Sequence, residues 1–133
     1  MKRITQILSM IMIVFLLVSC KNAKQKLQEY VTAYNASAKT FKADNVTLTT
    51  ARGYINDDKI ELRFETGLEQ NQANKMAGDM AFSKLLKEMI NKNQIPKELV
   101  EEGIRFDAYF LADDNTVLSK KIIDKESISE ILQ

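Results

Sequence analysis

The chain has 133 residues, with 19 Lys and Arg against 18 Asp and Glu, a formal charge of +1, one Cys, no His and no Trp. That is the length of one domain, and 45% hydrophobic with 28% charged residues is the composition of a folded chain rather than a disordered one. Near-balanced charge gives no basis for nucleic-acid binding. Lack of His removes the commonest general base and metal ligand, and a lone Cys excludes an internal disulfide or a Cys-cluster metal site.

The strongest pattern comes first in the chain. Lys2 and Arg3 form a short basic region, and an apolar run from Ile7 to Val18 follows, broken only by Ser9. It ends in Leu17-Val18-Ser19-Cys20. Basic start, short apolar middle, small residue and then Cys is the signature of a bacterial lipoprotein signal peptide. The run is short for the ~20 helical residues that span a bilayer. Residues 1–19 are therefore expected to be cleaved, with Leu17, Val18 and Ser19 as the signal-peptidase recognition residues. The Cys20 thiol would take a diacylglycerol by thioether formation. Its freed amino group would then be acylated in turn, by a chain such as palmitate. One acyl chain holds a protein only marginally at a membrane, whereas two or three hold it stably. Removal of Lys2 and Arg3 takes the formal charge to −1. Lys21, where an Asp would favour inner-membrane retention, points to the outer membrane facing the periplasm in a Gram-negative cell. Lys21, Lys24 and Lys26 are candidate contacts for anionic headgroups, although a solvated helix start explains them as well.

Residues 20–133 read as one domain, with no Pro/Gly/Ser linker. Ala23, Leu27, Tyr30, Val31 and Tyr34 fall at helical spacing and predict an amphipathic helix over 22–38. Residues 46–55 and 60–65 predict a β-hairpin. Ile60, Leu62 and Phe64 alternate with charged residues there, and Asn56-Asp57-Asp58-Lys59 supplies the turn. Residues 70–92 predict the longest helix, with Met76, Met80, Phe82, Leu85, Leu86, Met89 and Ile90 as its apolar face. Pro96 to Gly103 predicts a short helix with Pro at its first position. A second hairpin follows over 104–111 and 117–123, turning at Asp113-Asp114-Asn115. Ser127-Ile128-Ser129-Glu130 reads as a capping box opening a last short helix. The expected fold is α+β in the order α-β-β-α-β-β-α. Its economical packing is an antiparallel four-stranded sheet with the helices on one face.

The lipobox, this element order and the stretch Glu98-Leu99-Val100-Glu101-Glu102-Gly103-Ile104-Arg105-Phe106 resemble a group of small Bacteroidota lipoproteins. The resemblance is one of element pattern over most of the mature chain. It implies a fold and an envelope address, and no catalytic residues.

Constellations that carry chemistry are weak throughout. Ser83-Lys84 and Ser119-Lys120 are adjacent pairs without a glycine elbow or Ser-x-x-Lys spacing. Asp57/Asp58, Glu101/Glu102 and Asp113/Asp114 are acid pairs of the kind glycosidases use, but each adjoins a turn or helix end, where acids bond locally. Asp113-Asp114-Asn115 lacks the spacing of a calcium loop. Met76, Met80, Met89 and Phe82 suit a pliable apolar groove, and such a stripe is more often core. Tyr30, Tyr34, Tyr54 and Tyr109 suit partner anchors, and are more often packing. The expectation is a non-enzymatic, lipid-anchored envelope module of the assembly or immunity/inhibitor type, with no metal and no cofactor. Its partners would be the membrane, through diacylglyceryl-Cys20, and an envelope protein. The alternative is a periplasmic carrier of a small apolar ligand, held between helix 70–92 and the sheet.

Overall fold

The computed structural model describes residues 22–133. The signal segment 1–19, its recognition residues Leu17, Val18 and Ser19, and Cys20 lie outside the described residues. The chain then runs α1 (Ala23–Ser37), β1 (Val46–Tyr54), β2 (Lys59–Thr66), α2 (Gln72–Asn91), α3 (Lys97–Glu101), β3 (Arg105–Leu111), β4 (Val117–Ile123) and α4 (Ile128–Ile131). This is the expected element order. Two single-turn 3₁₀ helices, Ala38–Thr40 and Ile55–Asp57, are additional.

Each long helix starts on an asparagine cap. Asn22 Oδ1 accepts from the Gln25 N–H at 2.9 Å, and Asn71 Oδ1 accepts from the Asn74 N–H at 2.8 Å. Pro96 is the N-cap of α3 rather than its first helical residue, and Gly103 closes the turn after α3 at φ +97°. The capping box at Ser127 does not form. Ser127 Oγ donates instead to the Ile122 carbonyl at 2.7 Å, and Asp124 Oδ1 accepts from the Ser127 N–H at 2.9 Å.

The sheet order is β1-β2-β3-β4. Its outer pairs are antiparallel hairpins, but β2 and β3 pair in parallel, Lys59 opposite Arg105 through Glu65 opposite Leu111. The sheet is mixed, which corrects the antiparallel expectation. The reason is the connection. The 20 residues of α2 rise roughly 30 Å, which carries the chain from the end of β2 back to the end where β2 began. From there β3 must run in the direction of β2, the geometry that a helical crossover permits and a tight turn does not.

Both long helices pack on one sheet face. Thr49, Ala51 and Gly53 of β1 stand opposite Phe64, Leu62 and Ile60 of β2, which continue to Phe110, Ala108 and Phe106 of β3. α1 lies over β1 and α2 over β4. Space is tight under α1, where a Cβ on Gly53 would stand 2.8 Å from Leu27 Cδ2. Phe64, Phe82, Phe106, Leu62 and Leu86 are wholly buried, and Phe82 stacks on Phe110 with centroids 5.1 Å apart.

The apolar face of α2 is Gly78, Phe82, Leu86, Met89 and Ile90. Met76 and Met80 are 66% and 78% exposed, so they do not belong to it. Each lies six residues before a buried position, Phe82 or Leu86, and six residues turn an α-helix by about 240°, past the buried face.

Candidate functional site

The register that builds the sheet also separates the two long helices. Leu27 lies against Gly53 and Tyr34 against Thr49, so α1 runs opposite to β1. Asp79 bonds Ser119 and Gly78 faces Phe110, after which α2 returns along the sheet toward α3. The helices are therefore antiparallel. A groove of about 790 Å³ opens between them, closed at one end by residues 38–44. Along α2 it extends roughly 16 Å, from Ala81 to Lys92.

Its apolar lining is Tyr30, Tyr34, Phe41, Leu85, Met89 and Phe110. Leu85 and Met89 follow Ala81 at four-residue steps, so one stripe of α2 supplies one wall. Charged residues stand on the lining too, Lys84, Glu88 and Lys92 from α2 and Lys42 and Asp44 from the loop. The Tyr30 ring meets Phe106 edge-on at 5.4 Å, and its hydroxyl donates to the Gln94 carbonyl at 2.7 Å. Tyr34 shares a hydrogen bond of 2.6 Å with buried Thr49 Oγ1. Burial drives the Tyr30 phenol far above its ordinary range. It pushes Tyr34 up to about 12, against the smaller lowering effect of the Thr49 hydrogen bond. Both stay neutral at physiological pH, so they offer shape and a hydroxyl rather than a base.

The other candidates lie elsewhere. Between α2 and the sheet, where the carrier alternative placed its pocket, Phe82, Leu86, Met89 and Phe64 are buried to 1% exposure or less. That space is filled, and the open volume lies between the helices instead. Met89 alone of the three candidate methionines lines it. Ser119 Oγ donates to Asp79 Oδ1 at 2.7 Å, while Lys120 lies over the Tyr109 ring, so this Ser-Lys pair points apart. Ser83 Oγ donates to the Asp79 carbonyl one helical turn back. Asp114 accepts from the Thr116 hydroxyl and N–H, which holds its carboxyl below the usual range, and Glu102 pairs with Lys26. Among the described residues no three His, Cys, Asp or Glu side chains converge as a cation site.

Sequence reasoning missed Phe41 and the 38–44 wall. Phe41 is a single apolar residue in a polar stretch, without periodicity to mark it; its isolation is the signal that was there. Tyr54 and Tyr109 do not line the groove; they stand on the sheet face that carries no helix among the described residues. Among the described residues no helix is long and apolar enough to cross a membrane.

No protein-family model matches this chain, and no curated protein sequence matches it. Among solved structures it is similar to the type II secretion system pilotin AspS from Vibrio cholerae, at 14% identity and a TM-score of 0.44, over 77% of this chain and 95% of that one. At that distance the likeness transfers neither family nor function.

Proposed function

We propose that this chain is a lipid-anchored protein of the bacterial cell envelope that works by binding rather than by chemistry. Cys20 carries the lipid, residues 1–19 are removed, and the domain presents the groove between α1 and α2 to an envelope protein partner. In a Gram-negative cell it sits on the outer membrane facing the periplasm. Tethering raises its effective concentration for neighbours on the same membrane.

The observation that carries this reading is the groove. It is open, apolar at its base and charged around it, and neither of its tyrosines is primed for proton transfer. The lipobox supplies the tether. A photo-crosslinking residue at Lys84 in intact envelopes is expected to give a discrete adduct that Leu85→Glu abolishes. An adduct pattern matching that of a probe at exposed Gln133 counts against the groove. Cys20→Ala is expected to leave an unprocessed precursor without lipid label. Label persisting on that variant refutes the anchor.

The carrier reading keeps one support, because a volume of about 790 Å³ lies in the range of small-ligand sites. Native mass spectrometry separates the two. A carrier leaves the envelope with a bound apolar molecule, and a partner-binding module leaves without one.

A further inference from the structure

The sheet has a second face that carries no helix among the described residues. Period-two alternation places Thr50, Arg52 and Tyr54 of β1 on it, with Lys59, Glu61, Arg63 and Glu65 of β2. Arg105, Asp107 and Tyr109 of β3, Lys120 and Ile122 of β4, and exposed Leu48 of β1 lie on it too. Its charges are layered by depth. Arg52, Arg63, Arg105 and Lys120 are exposed, while the acids lie lower. Asp107 is 3% exposed. Its Oδ2 accepts from Arg105 Nη2 at 3.2 Å and lies 3.8 Å from Lys59 Nζ, while its Oδ1 sits 2.9 Å from Arg105 Nε but out of line for a hydrogen bond. Glu61 lies 3.6 Å from Arg63 and accepts from the Tyr54 hydroxyl. The surface therefore presents cations outward over a chain whose mature charge is slightly negative.

Register sharpens the point. Lys59 stands directly opposite Arg105, and Glu61 opposite Asp107. Like charges facing across strands are destabilising. One buried carboxylate serves both Lys59 and Arg105, which leaves positive charge over. Arg52 and Lys59 flank the Tyr54 ring at 5.4 and 4.6 Å, and Lys120 covers Tyr109 at 5.2 Å. These contacts hold the cations spread over a sheet roughly 14 Å wide.

The Lys59–Arg105 end is also where α1 begins. Leu27 packs on Gly53, and Lys26 pairs with Glu98 of α3 and with Glu102 at its C-cap, just before Arg105. Lys26 is thereby committed within the protein and is not available to a headgroup. Three peptide links separate Cys20 from Ala23, a reach of at most ~10 Å. A bilayer holding lipid at Cys20 lies near this end of the sheet; because α1 packs on the opposite face, the anchor fixes the end nearest the bilayer, and the exposed charge, not the anchor, selects the face.

We propose that the helix-free face rests on anionic phospholipid headgroups, with the phosphates between Arg52, Arg63 and Lys120 and the lipid at Cys20 as tether; Arg105 is committed to Asp107. The inference rests on the anchor reading above. It turns the α1–α2 groove, on the other side of the sheet, away from the bilayer. Lipid plus a basic patch is the two-signal arrangement that gives stable, oriented attachment.

The test uses the full lipidated protein in phosphatidylcholine vesicles with and without phosphatidylglycerol. The Cys20 thiol is consumed by its thioether, so an introduced cysteine takes the fluorophore alone. Label at Thr50→Cys is expected to lose roughly threefold or more of its access to an aqueous quencher on the anionic vesicles. Label at Lys84→Cys is expected to stay equally accessible on both. High salt or the triple change Arg52→Glu, Arg63→Glu and Lys120→Glu should restore quenching at position 50. Equal quenching at position 50 on both vesicles overturns the proposal and leaves this face to an acidic protein. Failure to float even with neutral vesicles overturns the anchor itself, and the proposal with it.

Discussion

The side-chain amide of Asn35 and the backbone of Ala51 form a reciprocal pair. Asn35 Nδ2 donates to the Ala51 carbonyl at 2.9 Å, and the Ala51 N–H donates to Asn35 Oδ1 at 2.8 Å. Both backbone groups point away from β2, at the free edge of the sheet. A helix side chain thus stands where another strand would add. Unpaired edges are templates for association, and covering them is a known protection. Asn35→Ala is expected to cost about 1–3 kcal/mol for the exposed or unsatisfied pair. It should also raise self-association, seen as a concentration-dependent sedimentation coefficient. A variant as stable and as monomeric as the parent contradicts the role.

Gly53 is required by the closeness of α1. An added Cβ meets Leu27 Cδ2 at 2.8 Å and Val31 Cγ2 at 3.3 Å, whereas one at Gly67 meets nothing within 4 Å. Gly53→Ala is expected to destabilise by about 1–2 kcal/mol in urea unfolding, the scale of overpacking. Gly67→Ala should change stability by less than about 0.5 kcal/mol. Equal effects at the two positions would show that α1 yields freely.

The two kinds of methionine on α2 give a sharp contrast. Met89 is 1% exposed, and Met80 is 78% exposed. Met89→Ala should cost about 2–5 kcal/mol, and Met80→Gln less than about 0.5 kcal/mol. Comparable losses on thermal melting would place Met80 in the core after all.

Much of this fold is legible in the sequence. Alternation at Ile60, Leu62 and Phe64 marks β2 because a half-buried strand leaves a period-two record. The spacing of Leu27, Tyr30 and Tyr34 marks α1 for the parallel reason. Direction is different. Whether β3 runs with or against β2 depends on where a 20-residue helix delivers the chain, and no residue of either strand encodes that. Met76 and Met80 mislead because hydropathy registers their apolarity and not their angle. The groove is the least legible part. Tyr30 and Leu85 read as helix-face residues of separate helices, and the space between them exists only once the sheet sets the helices apart.

Acid should weaken the contact between α2 and β4. Asp79 accepts from Ser119 and pairs with Lys121 Nζ at 2.8 Å, and hydrogen bonding from Lys121, then Ser119, holds its carboxyl below the ordinary range. A lowered folded pKa gives stability that is present above the unfolded value, near ~4, and is lost as pH falls through the folded one. The Asp79 side chain is 54% exposed, so solvent screening limits the contribution to about 0.5 kcal/mol. Asp79→Asn is expected to be slightly less stable at neutral pH and to show a shallower loss as pH falls below ~4. An unchanged acid limb would remove the pair from the stability account.

The account turns on Cys20, and the intact mass of the protein extracted from its own membranes tests it most directly. A chain beginning at Cys20, heavier by a diacylglyceryl group with or without a further acyl chain, is the expected result. A free thiol at that position, or a polypeptide still carrying residues 1–19, contradicts it.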